Sequence, residues 1–372
     1  MRIAYIGFSN ISGNSYLGAS NAGIAQSDFT FKIINEISDA DYYICQSSPS
    51  VKSDRDNYFS FRLRTRFHKN IIDTFRLLRI LRSYGPYKSI VIYHSLVFFP
   101  LVLIFRLFCI NHILQVNEIF YRSGTHNFRV KKLAENWMFK CTKNFIVASE
   151  TLTRFLSQVR KAETNIVAVI PGPIYVNKDL DLELKTSILD IDTQSVVQIM
   201  YAGVIDKEKN GGAFIAIELA NKLDSINFNI DIFGFGRTND INDLQKAIEL
   251  NNLKSRTKVR YRGNLPPLKL FESMNNYHIG LATQYIGTSF SESSFPSKIL
   301  MYLSAGLNVV SATSSAVASW AERDLIFIYK DKDLNDLVSY LQSNRLKNKS
   351  VILRRVQKIR NKISYNLAKS IQ

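Results

Sequence analysis

The segment Ser294–Val310, SFPSKILMYLSAGLNVV, carries the clearest structural pattern in the sequence. Pro296 stands where proline most often opens a helix, and Gly306 stands where glycine most often closes one. The apolar residues after Gly306 form a continuous run, which is typical of a strand buried on both faces. Lys298 falls in the first helical turn, where free backbone N–H groups and the helix dipole favour an anion. The segment therefore predicts a helix, a buried strand and an anion site, although a helix without a ligand would carry the same pattern.

The same alternation of apolar strands and helices continues on both sides of this segment, which predicts parallel α/β sheets wrapped by helices. In the first half we expect strands at Arg2–Ile6, Tyr42–Gln46, Ser89–Tyr93, His112–Val116, Asn144–Ala148 and Ile166–Ile170. In the second half we expect strands at Val197–Tyr201, Asn229–Phe233, Lys258–Arg262, Ile279–Ala282, Asn308–Ala312 and Leu325–Ile328. Helices are expected near 16–37, 68–83, 96–108, 129–141, 149–158, 212–224, 240–251, 267–275, 297–305 and 333–343, with a final helix from about 348.

The alternation is interrupted once, at Pro171-Gly172-Pro173, and a polar, acidic stretch follows. We therefore predict an N-terminal Rossmann-like domain at 1–172, a linker at 173–194, a second Rossmann-like domain at 195–347 and a C-terminal helix at 348–372. In doubly wound sheets ligands bind at the carboxyl ends of the strands. A cleft between the two domains is the expected site.

Composition fits this two-domain interpretation. The chain has 372 residues, of which 46% are hydrophobic and 21% charged, a balance that excludes a disordered protein. Its three cysteines, Cys45, Cys109 and Cys141, are far apart, so we interpret them as buried thiols in a reducing compartment. The apolar run Leu96–Ile110 is too short to span a bilayer and contains Arg106, so it predicts a buried or membrane-surface helix. We expect a cytoplasmic protein.

The charge is strongly basic, with 48 Lys and Arg against 31 Asp and Glu, a net +17. Such a charge indicates an anionic partner: nucleic acid, a phospholipid surface or a phosphorylated ligand. Ten basic and three acidic residues lie in 51–90, six and one in 120–145, and nine and none in 341–372. From Phe59 to Leu81 basic and large apolar residues alternate at helical spacing, which fits an anionic membrane surface or a solvated helix face.

Motifs for phosphate or metal binding are weak when taken alone. Gly234-Phe235-Gly236 follows a strand, but Asn239 stands where a dinucleotide fingerprint has its third glycine. The sequence contains no GxxxxGK[ST] loop, and the five histidines are scattered without metal-ligand spacing.

Taken together, the motifs resemble those of family-4 glycosyltransferases, which have the GT-B fold. Phe295–Lys298 with Tyr302–Gly306 resembles that family's "PSK…EYLAAG" signature. The other matching segments, in the family's order, are Asn117-Glu118, Arg129–Glu135, Tyr201–Gly211, Ile232–Gly236, Val259–Leu265 and Leu270–Thr283. The resemblance spans nearly the whole chain.

Two positions depart from the family pattern. Met301 stands where the family has a glutamate that binds donor ribose hydroxyls, and Val204 stands where many members have an arginine for the diphosphate. The donor site could be rebuilt by Glu292, Lys207, Arg237 or Lys298, so an altered donor or weak activity is one consequence.

The resemblance implies transfer of a sugar, with retention, from a UDP- or GDP-sugar, without a cofactor or metal ion. Because the departing nucleoside diphosphate develops negative charge, cations and helix N-termini would lower the barrier. The candidates are Lys209, Lys298 and the N–H groups of Ser297 and Lys298, with Gly263, Asn264 and Leu265 beside the base. The full set of donor-binding candidates is Gly203, Lys207, Lys209, Gly234, Arg237, Gly263, Asn264, Leu265, Gln284, Glu292, Ser294, Phe295, Pro296, Ser297, Lys298 and Met301.

In the first domain the acceptor-binding candidates are Gly13, Asn14, His94 and Glu118. Glu118, a catalytic candidate together with Lys298, would hold an acceptor hydroxyl or stabilise a sugar-like cation. A packed strand-end histidine and a surface glutamate are the structural alternatives for His94 and Glu118, and we interpret Glu135 as structural.

The predicted acceptor is a glycan or a polyprenyl-diphosphate-linked glycan in surface polysaccharide synthesis (capsule or lipopolysaccharide), at the inner face of an anionic membrane. A nucleotide-sugar epimerase on the same fold is the first alternative. A basic nucleic-acid-binding protein is the second, and it lacks any recognisable RNA or DNA motif. We therefore expect no nucleic-acid partner.

Overall fold

A computed structural model describes residues 2–8, 21–46, 57–62, 67–119, 128–160, 163–175, 196–208, 211–285, 295–330, 332, 334–343 and 345–371. The chain forms two compact units. The first contains Met1–Pro173, Ser293–Phe295 and Arg360–Gln372, and the second contains Ile174–Glu292 and Pro296–Ile359, each through its described residues. The predicted linker at 173–194 lies outside the described residues except for 173–175.

The first unit is built on a seven-stranded parallel sheet of order β3-β2-β1-β4-β5-β6-β7. Its strands are β1 (Arg2–Gly7), β2 (Ala40–Gln46), β3 (Tyr58–Arg62), β4 (Tyr87–Tyr93), β5 (His112–Val116), β6 (Asn144–Val147) and β7 (Asn165–Val169). Its helices are α1 (Asn21–Ile37), α2 (Phe67–Tyr84), α3 (Phe99–Leu107), α4 (Phe128–Cys141) and α5 (Glu150–Arg160). The strand order reverses between β1 and β4, which is where a doubly wound sheet opens a crevice.

The second unit has a six-stranded sheet of order β10-β9-β8-β11-β12-β13, which reverses between β8 and β11. Its strands are β8 (Val197–Ile205), β9 (Phe228–Gly236), β10 (Lys258–Gly263), β11 (Ile279–Ala282), β12 (Asn308–Ala312) and β13 (Ile326–Tyr329). Its helices are α6 (Gly212–Leu223), α7 (Thr238–Lys254), α8 (Pro267–Ser273), α9 (Ser297–Ser304), α10 (Ser315–Ala318), α11 (Asn335–Gln342) and the first part of α12 (Lys349–Ile371).

The two sheets confirm the predicted α/β class with two doubly wound, Rossmann-like halves. Every residue of the central strands β5, β11 and β12 is buried. Helices on both faces of a parallel sheet require apolar side chains on both sides of each strand, and this is why the sequence shows continuous apolar runs rather than alternation.

Strand β3 corrects the sequence interpretation. The helical spacing of basic and apolar residues from Phe59 to Leu81 predicts a helix from Phe59 onward, but Tyr58–Arg62 pairs with β2 as a parallel edge strand. Phe59 stacks on Tyr43 with 5.1 Å between ring centroids, so a cross-strand aromatic contact decides the conformation. The interpretation of the cysteines as buried thiols is confirmed for Cys45 and wrong for Cys109, which is exposed, while Cys141 is half-buried.

Helix α12 contributes to both units. In the second unit Arg355 forms ion pairs with Glu322 and with Asp324, the latter at 3.1 Å. From Arg360 onward the helix belongs to the first unit, where Arg360 Nη2 lies 2.5 Å from Glu36 Oε2. Among the described residues, no helix combines the length and the apolarity that a bilayer crossing requires.

Tyr302 of α9 bridges the two strands at the point where the second sheet reverses. Strands β8 and β11 pair only as far as Tyr201 and Leu281. Beyond that pair, the Ala202 N–H donates to the Tyr302 hydroxyl at 2.8 Å, and the hydroxyl lies 3.4 Å from the Leu281 carbonyl oxygen. A single hydroxyl thus replaces the ladder bond and fixes α9 against the sheet.

We expect Tyr302→Phe to destabilise the second unit by about 1–3 kcal/mol, because the buried Ala202 N–H loses its acceptor. The chain has two tryptophans, and a Trp137→Phe background leaves Trp320 to report unfolding of the second unit. The measurement is the urea midpoint by fluorescence, with Tyr365→Phe at an exposed position of α12 as control. An unchanged midpoint for Tyr302→Phe would show that the hydroxyl does not support this junction.

Candidate functional site

Lys298 lies at the carboxyl end of β8. Its ammonium sits over the Tyr201 ring, 4.0 Å from the ring centroid, a favourable cation–π arrangement. The same ammonium fills the space beside Gly203, so a Cβ added at Gly203 would collide with it. Glycine at 203 is therefore what lets a lysine from α9 approach the strand end.

Two helix N-termini lie near this strand end. Helix α9 begins after Pro296 and α6 begins after Gly211, and neither of these N-cap residues caps its helix with a side chain. Gly211 has φ of 58°, a left-handed conformation that glycine adopts without strain. The Thr283 hydroxyl donates to the Gly212 carbonyl at 2.9 Å, which ties the start of α6 to the end of β11. Uncapped N–H groups of both helices are thus directed to the end of the sheet where its strand order reverses.

Two other described cations at this end of the sheet are paired with carboxylates. Lys207 Nζ lies 3.3 Å from Asp243 Oδ2, and Arg237 Nε lies 2.7 Å from Asp240 Oδ2. The hydrogen bond from Arg237 lowers the pKa of the Asp240 carboxyl. Within the described part of the chain, by contrast, no carboxylate lies within ion-pair distance of Lys298.

The remaining donor-site candidates follow neighbouring strands. Gly234 belongs to β9 and is packed against Gly203, where a Cβ would collide with the Gly203 carbonyl oxygen. Gly263 ends β10 with φ of 76° and faces open space, followed by exposed Asn264 and half-buried Leu265. The Tyr261 hydroxyl donates to the Gly234 carbonyl at 2.9 Å and joins these two strand ends.

Gln284 lies two residues after the end of β11. Its Nε2 is buried and makes no hydrogen bond to any described residue. On α9, Phe295 before the helix is buried, whereas Pro296, Ser297 and Met301 are partly exposed. Lys209, Glu292 and Ser294 lie outside the described residues, so their positions relative to Lys298 stay predictions.

In the first unit the structure brings His94 and Glu118 to adjacent strand ends. His94 follows β4 and Glu118 follows β5, and these strands are neighbours in the sheet. Burial raises the pKa of the Glu118 carboxyl. Asn117 Nδ2 donates to the Tyr93 hydroxyl at 3.3 Å and links the same two strand ends. Gly13 and Asn14 fall in the stretch 9–20, which the structure does not describe.

Glu135 is a further member of this group. On α4, its Oε1 lies 3.4 Å from Nε2 of His94, and both side chains are about 1% exposed. Burial lowers the pKa of His94 to about 3, so the ring is neutral near pH 7. A neutral imidazole beside a buried carboxyl and a partly exposed one can hold or relay a hydroxyl proton. Among the described residues, no group of three or more His, Cys, Asp or Glu is arranged to hold a metal ion.

Comparison with solved structures identifies the architecture. A lipopolysaccharide outer core galactosyltransferase, WaaB in its apo form, aligns with a TM-score of 0.66 and 12% identity, over 100% of this chain and 99% of its own. Anabaena HepE in complex with UDP aligns with a TM-score of 0.66 and 10% identity, over 100% and 98%. These are glycosyltransferases of the GT-B architecture. The chain has the GT-B fold.

Another GT-B neighbour is a trehalose-6-phosphate synthase studied for glycosyltransfer with retention. It aligns with a TM-score of 0.62 and 10% identity, over 100% of this chain and 97% of its own. At such low sequence identities the structural similarity shows only that the fold is shared. No protein-family model and no curated protein sequence matches the chain.

The buried His94 makes the stability of this GT-B chain sensitive to acid. Its pKa is about 3 when folded and about 6.5 when unfolded. Between these values the unfolded chain binds a proton that the folded chain does not, so the free energy of unfolding decreases as the pH is lowered. The loss reaches about 1.4 kcal/mol per pH unit.

We expect His94→Asn to remove this part of the acid sensitivity. Thermal unfolding of both proteins between pH 7.5 and 4.5 measures it, and the unfolding temperature of the variant should fall less steeply below pH 6.5. Equal slopes would contradict a neutral His94 and would instead indicate a charged pair with Glu135.

Proposed function

We propose that this chain is a family-4-type retaining glycosyltransferase that moves a hexose from a nucleotide diphosphate sugar to a glycan or lipid-linked acceptor. One observation carries the proposal: Lys298, a cation without a carboxylate partner among the described residues, lies where two uncapped helices begin. A dianionic diphosphate matches this combination of full and partial positive charge. The motif order and the GT-B fold agree with it.

In the proposed mechanism the C1–O bond to the nucleoside diphosphate breaks, and the bonding electrons leave with the diphosphate oxygen. The acceptor hydroxyl oxygen bonds to C1 on the same face, and its proton passes to the departing diphosphate oxygen. Lys298 and the N–H groups of Ser297 and Lys298 stabilise that oxygen, with Lys209 as a further cation. Because these groups supply positive charge before the reaction begins, we propose that the step needs no metal ion.

We assign the nucleobase to Gly263, Asn264 and Leu265. Parallel strands lie about 4.8 Å apart, so the ends of β10 and β8 are about 10 Å apart across β9. The ribose would bridge that gap along Gly203 and Gly234. Lys207 and Arg237 would reach the donor only by exchanging their present carboxylate partners.

The donor sugar would lie near Glu292 and Ser294 and beside Gln284, whose Nε2 has no hydrogen-bond partner among the described residues and would donate to a sugar hydroxyl. Met301 offers only an apolar thioether where the family has a glutamate for the ribose hydroxyls. We therefore propose that this enzyme holds ribose less tightly than its family does, through contacts that do not involve α9.

The acceptor hydroxyl would be held in the first unit by Glu118 and His94, with Gly13 and Asn14 as further candidates. Glu118, as a carboxylate, would accept a hydrogen bond from that hydroxyl and would stabilise positive charge developing on the donor sugar. Its raised pKa indicates a partly desolvated carboxyl, which strengthens both interactions.

We further propose that the acceptor is carried by a polyprenyl diphosphate at the inner face of the cell membrane, in surface polysaccharide synthesis. The support is the surface of the first unit. Helices α2, α3 and α4 expose large apolar side chains among many basic ones, as membrane-surface helices do. Those exposed side chains are Ile72, Phe75, Leu107, Phe108, Val130, Leu133 and Trp137.

Lys298→Gln tests the proposal. With a UDP- or GDP-sugar and membrane-extracted lipid acceptor, we expect the variant to lose about 10²–10³-fold in kcat, the usual effect of removing one group that stabilises the developing charge. Lys254→Gln, at an exposed site on α7, is the matched control and should retain activity. A thermal-shift screen with UDP and GDP sugars identifies the donor first.

Product analysis distinguishes the competing functions. Full activity of Lys298→Gln would contradict the donor-site assignment. Conversion of the nucleotide-sugar to an isomer without acceptor would establish an epimerase instead. Loss of activity on adding EDTA would contradict the metal-independent mechanism alone.

A further inference from the structure

A cavity of about 580 Å³ lies in the first unit, away from the candidate sites described above. It is bordered by the C-terminal halves of α2 and α3 and by the start of β4, and it is open to solvent on one side. Its lining is almost entirely apolar and includes Phe75, Leu78, Leu81, Ile104, Phe105 and Phe108. Its volume is within the range of about 300–1,000 Å³ that is usual for ligand pockets.

The cavity lies at the amino ends of the strands, whereas His94 and Glu118 lie at the carboxyl ends. Tyr87, the first residue of β4, and Ile110, just before β5, line it, whereas His94 and Glu118 follow the carboxyl ends of those strands. A strand of seven residues is about 20 Å long, so the cavity is separate from the candidate acceptor site.

The mouth of the cavity is apolar and open to solvent. Phe75 is 55% exposed, Phe108 is 70% exposed and neighbouring Leu107 is 78% exposed. Large side chains of this kind, next to one another and in water, are typical of a surface that is covered in use.

The surroundings of the mouth are basic and nearly free of acid. Arg82 lines the cavity, and Arg76 and Arg79 lie on the exposed side of the same helix. The one acidic residue of α2 and α3 is Asp73, which is buried with its Oδ1 3.5 Å from Arg76 Nη1. The net charge next to the mouth is therefore positive.

We propose that this cavity binds one acyl chain of an anionic phospholipid, with Arg82 and Arg79 contacting the phosphate. An apolar cavity beside an arginine cluster has the two properties that such a molecule needs, and a neutral ligand would leave the arginines without a role. The site would hold the first unit on an anionic membrane from the sheet edge opposite the reaction. It does not depend on the donor site or on the proposed transferase activity.

Binding of soluble short-chain lipids to the full chain tests this. The probes are dihexanoyl- and dioctanoyl-phosphatidylglycerol below their critical micelle concentrations, followed by isothermal titration calorimetry. Each buried CH₂ group raises the affinity about fourfold. The two additional CH₂ groups of the acyl chain that enters the cavity should therefore tighten binding about fifteenfold. Glycerophosphoglycerol, which has the head group alone, should not bind measurably.

Variants at the cavity distinguish the contribution of the acyl chain to lipid binding from that of the phosphate. Ile104→Trp fills the cavity and should weaken dioctanoyl-phosphatidylglycerol at least tenfold, while Leu253→Trp, at a site 82% exposed in the second unit, should not. Phe108→Ser removes part of the mouth at an exposed site and keeps the test valid if Ile104→Trp fails to fold. Arg82→Gln should abolish the preference over dioctanoyl-phosphatidylcholine, and Arg256→Gln should not.

Three results would overturn the proposal. They are binding that is independent of chain length, binding unaffected by both Ile104→Trp and Phe108→Ser, and equal affinity for phosphatidylcholine. Lys298→Gln should bind the lipid like the parent chain. A failure of the transferase assignment and a failure of this site would therefore be seen in different measurements.

Discussion

The hydrogen bonds of the Tyr302 hydroxyl are the constraint on which the candidate donor site depends. Strands β8 and β11 must separate for a crevice to open at the sheet reversal, and separation leaves the Ala202 N–H without a strand partner. A buried N–H without an acceptor lowers the stability by about 1–3 kcal/mol, so the Ala202 N–H needs an acceptor from another element. Because the acceptor comes from α9, the same bond that satisfies the sheet also holds the first turn of α9, with Lys298, beside Gly203.

Lys298 differs in its charge pairing from Lys207 and Arg237, which lie at the same end of the sheet. Lys207 and Arg237 each have a carboxylate in place, and a ligand that recruits them must first break an ion pair. Lys298 rests on the Tyr201 ring instead, a contact that orients the ammonium, and no carboxylate of the described residues compensates its charge. A site that is electrostatically organised before binding loses little free energy to rearrangement, which is the property that a stabiliser of a departing diphosphate needs.

The sequence predicts what local chemistry determines and misses what tertiary contacts determine. The bounds of β5, β11 and β12 are as predicted, because uninterrupted apolar runs have one explanation in a parallel sheet. Strand β3 was missed because five residues, YFSFR, fit a period of two or of 3.6, and only the stacking of Phe59 on Tyr43 decides between them. Glu135 and His94 are 41 positions apart in the sequence and come into contact through the packing of α4, so no sequence spacing predicts this contact.

The net charge of +17 is better explained by two separate needs than by one anionic partner. At the carboxyl end of the second sheet, carboxylates pair Lys207 and Arg237 but none among the described residues pairs Lys298, which suits one small dianion. On α2, three arginines face solvent with a single buried acid, which suits an extended anionic surface. Nucleic acid would need exposed cations spaced along a groove together with contacts to bases, whereas α2 pairs its arginines with exposed phenylalanine and an apolar cavity. Apolar surface next to the arginines is what a lipid uses and a phosphodiester backbone does not, so the charge of the first unit favours the lipid contact proposed above over nucleic acid.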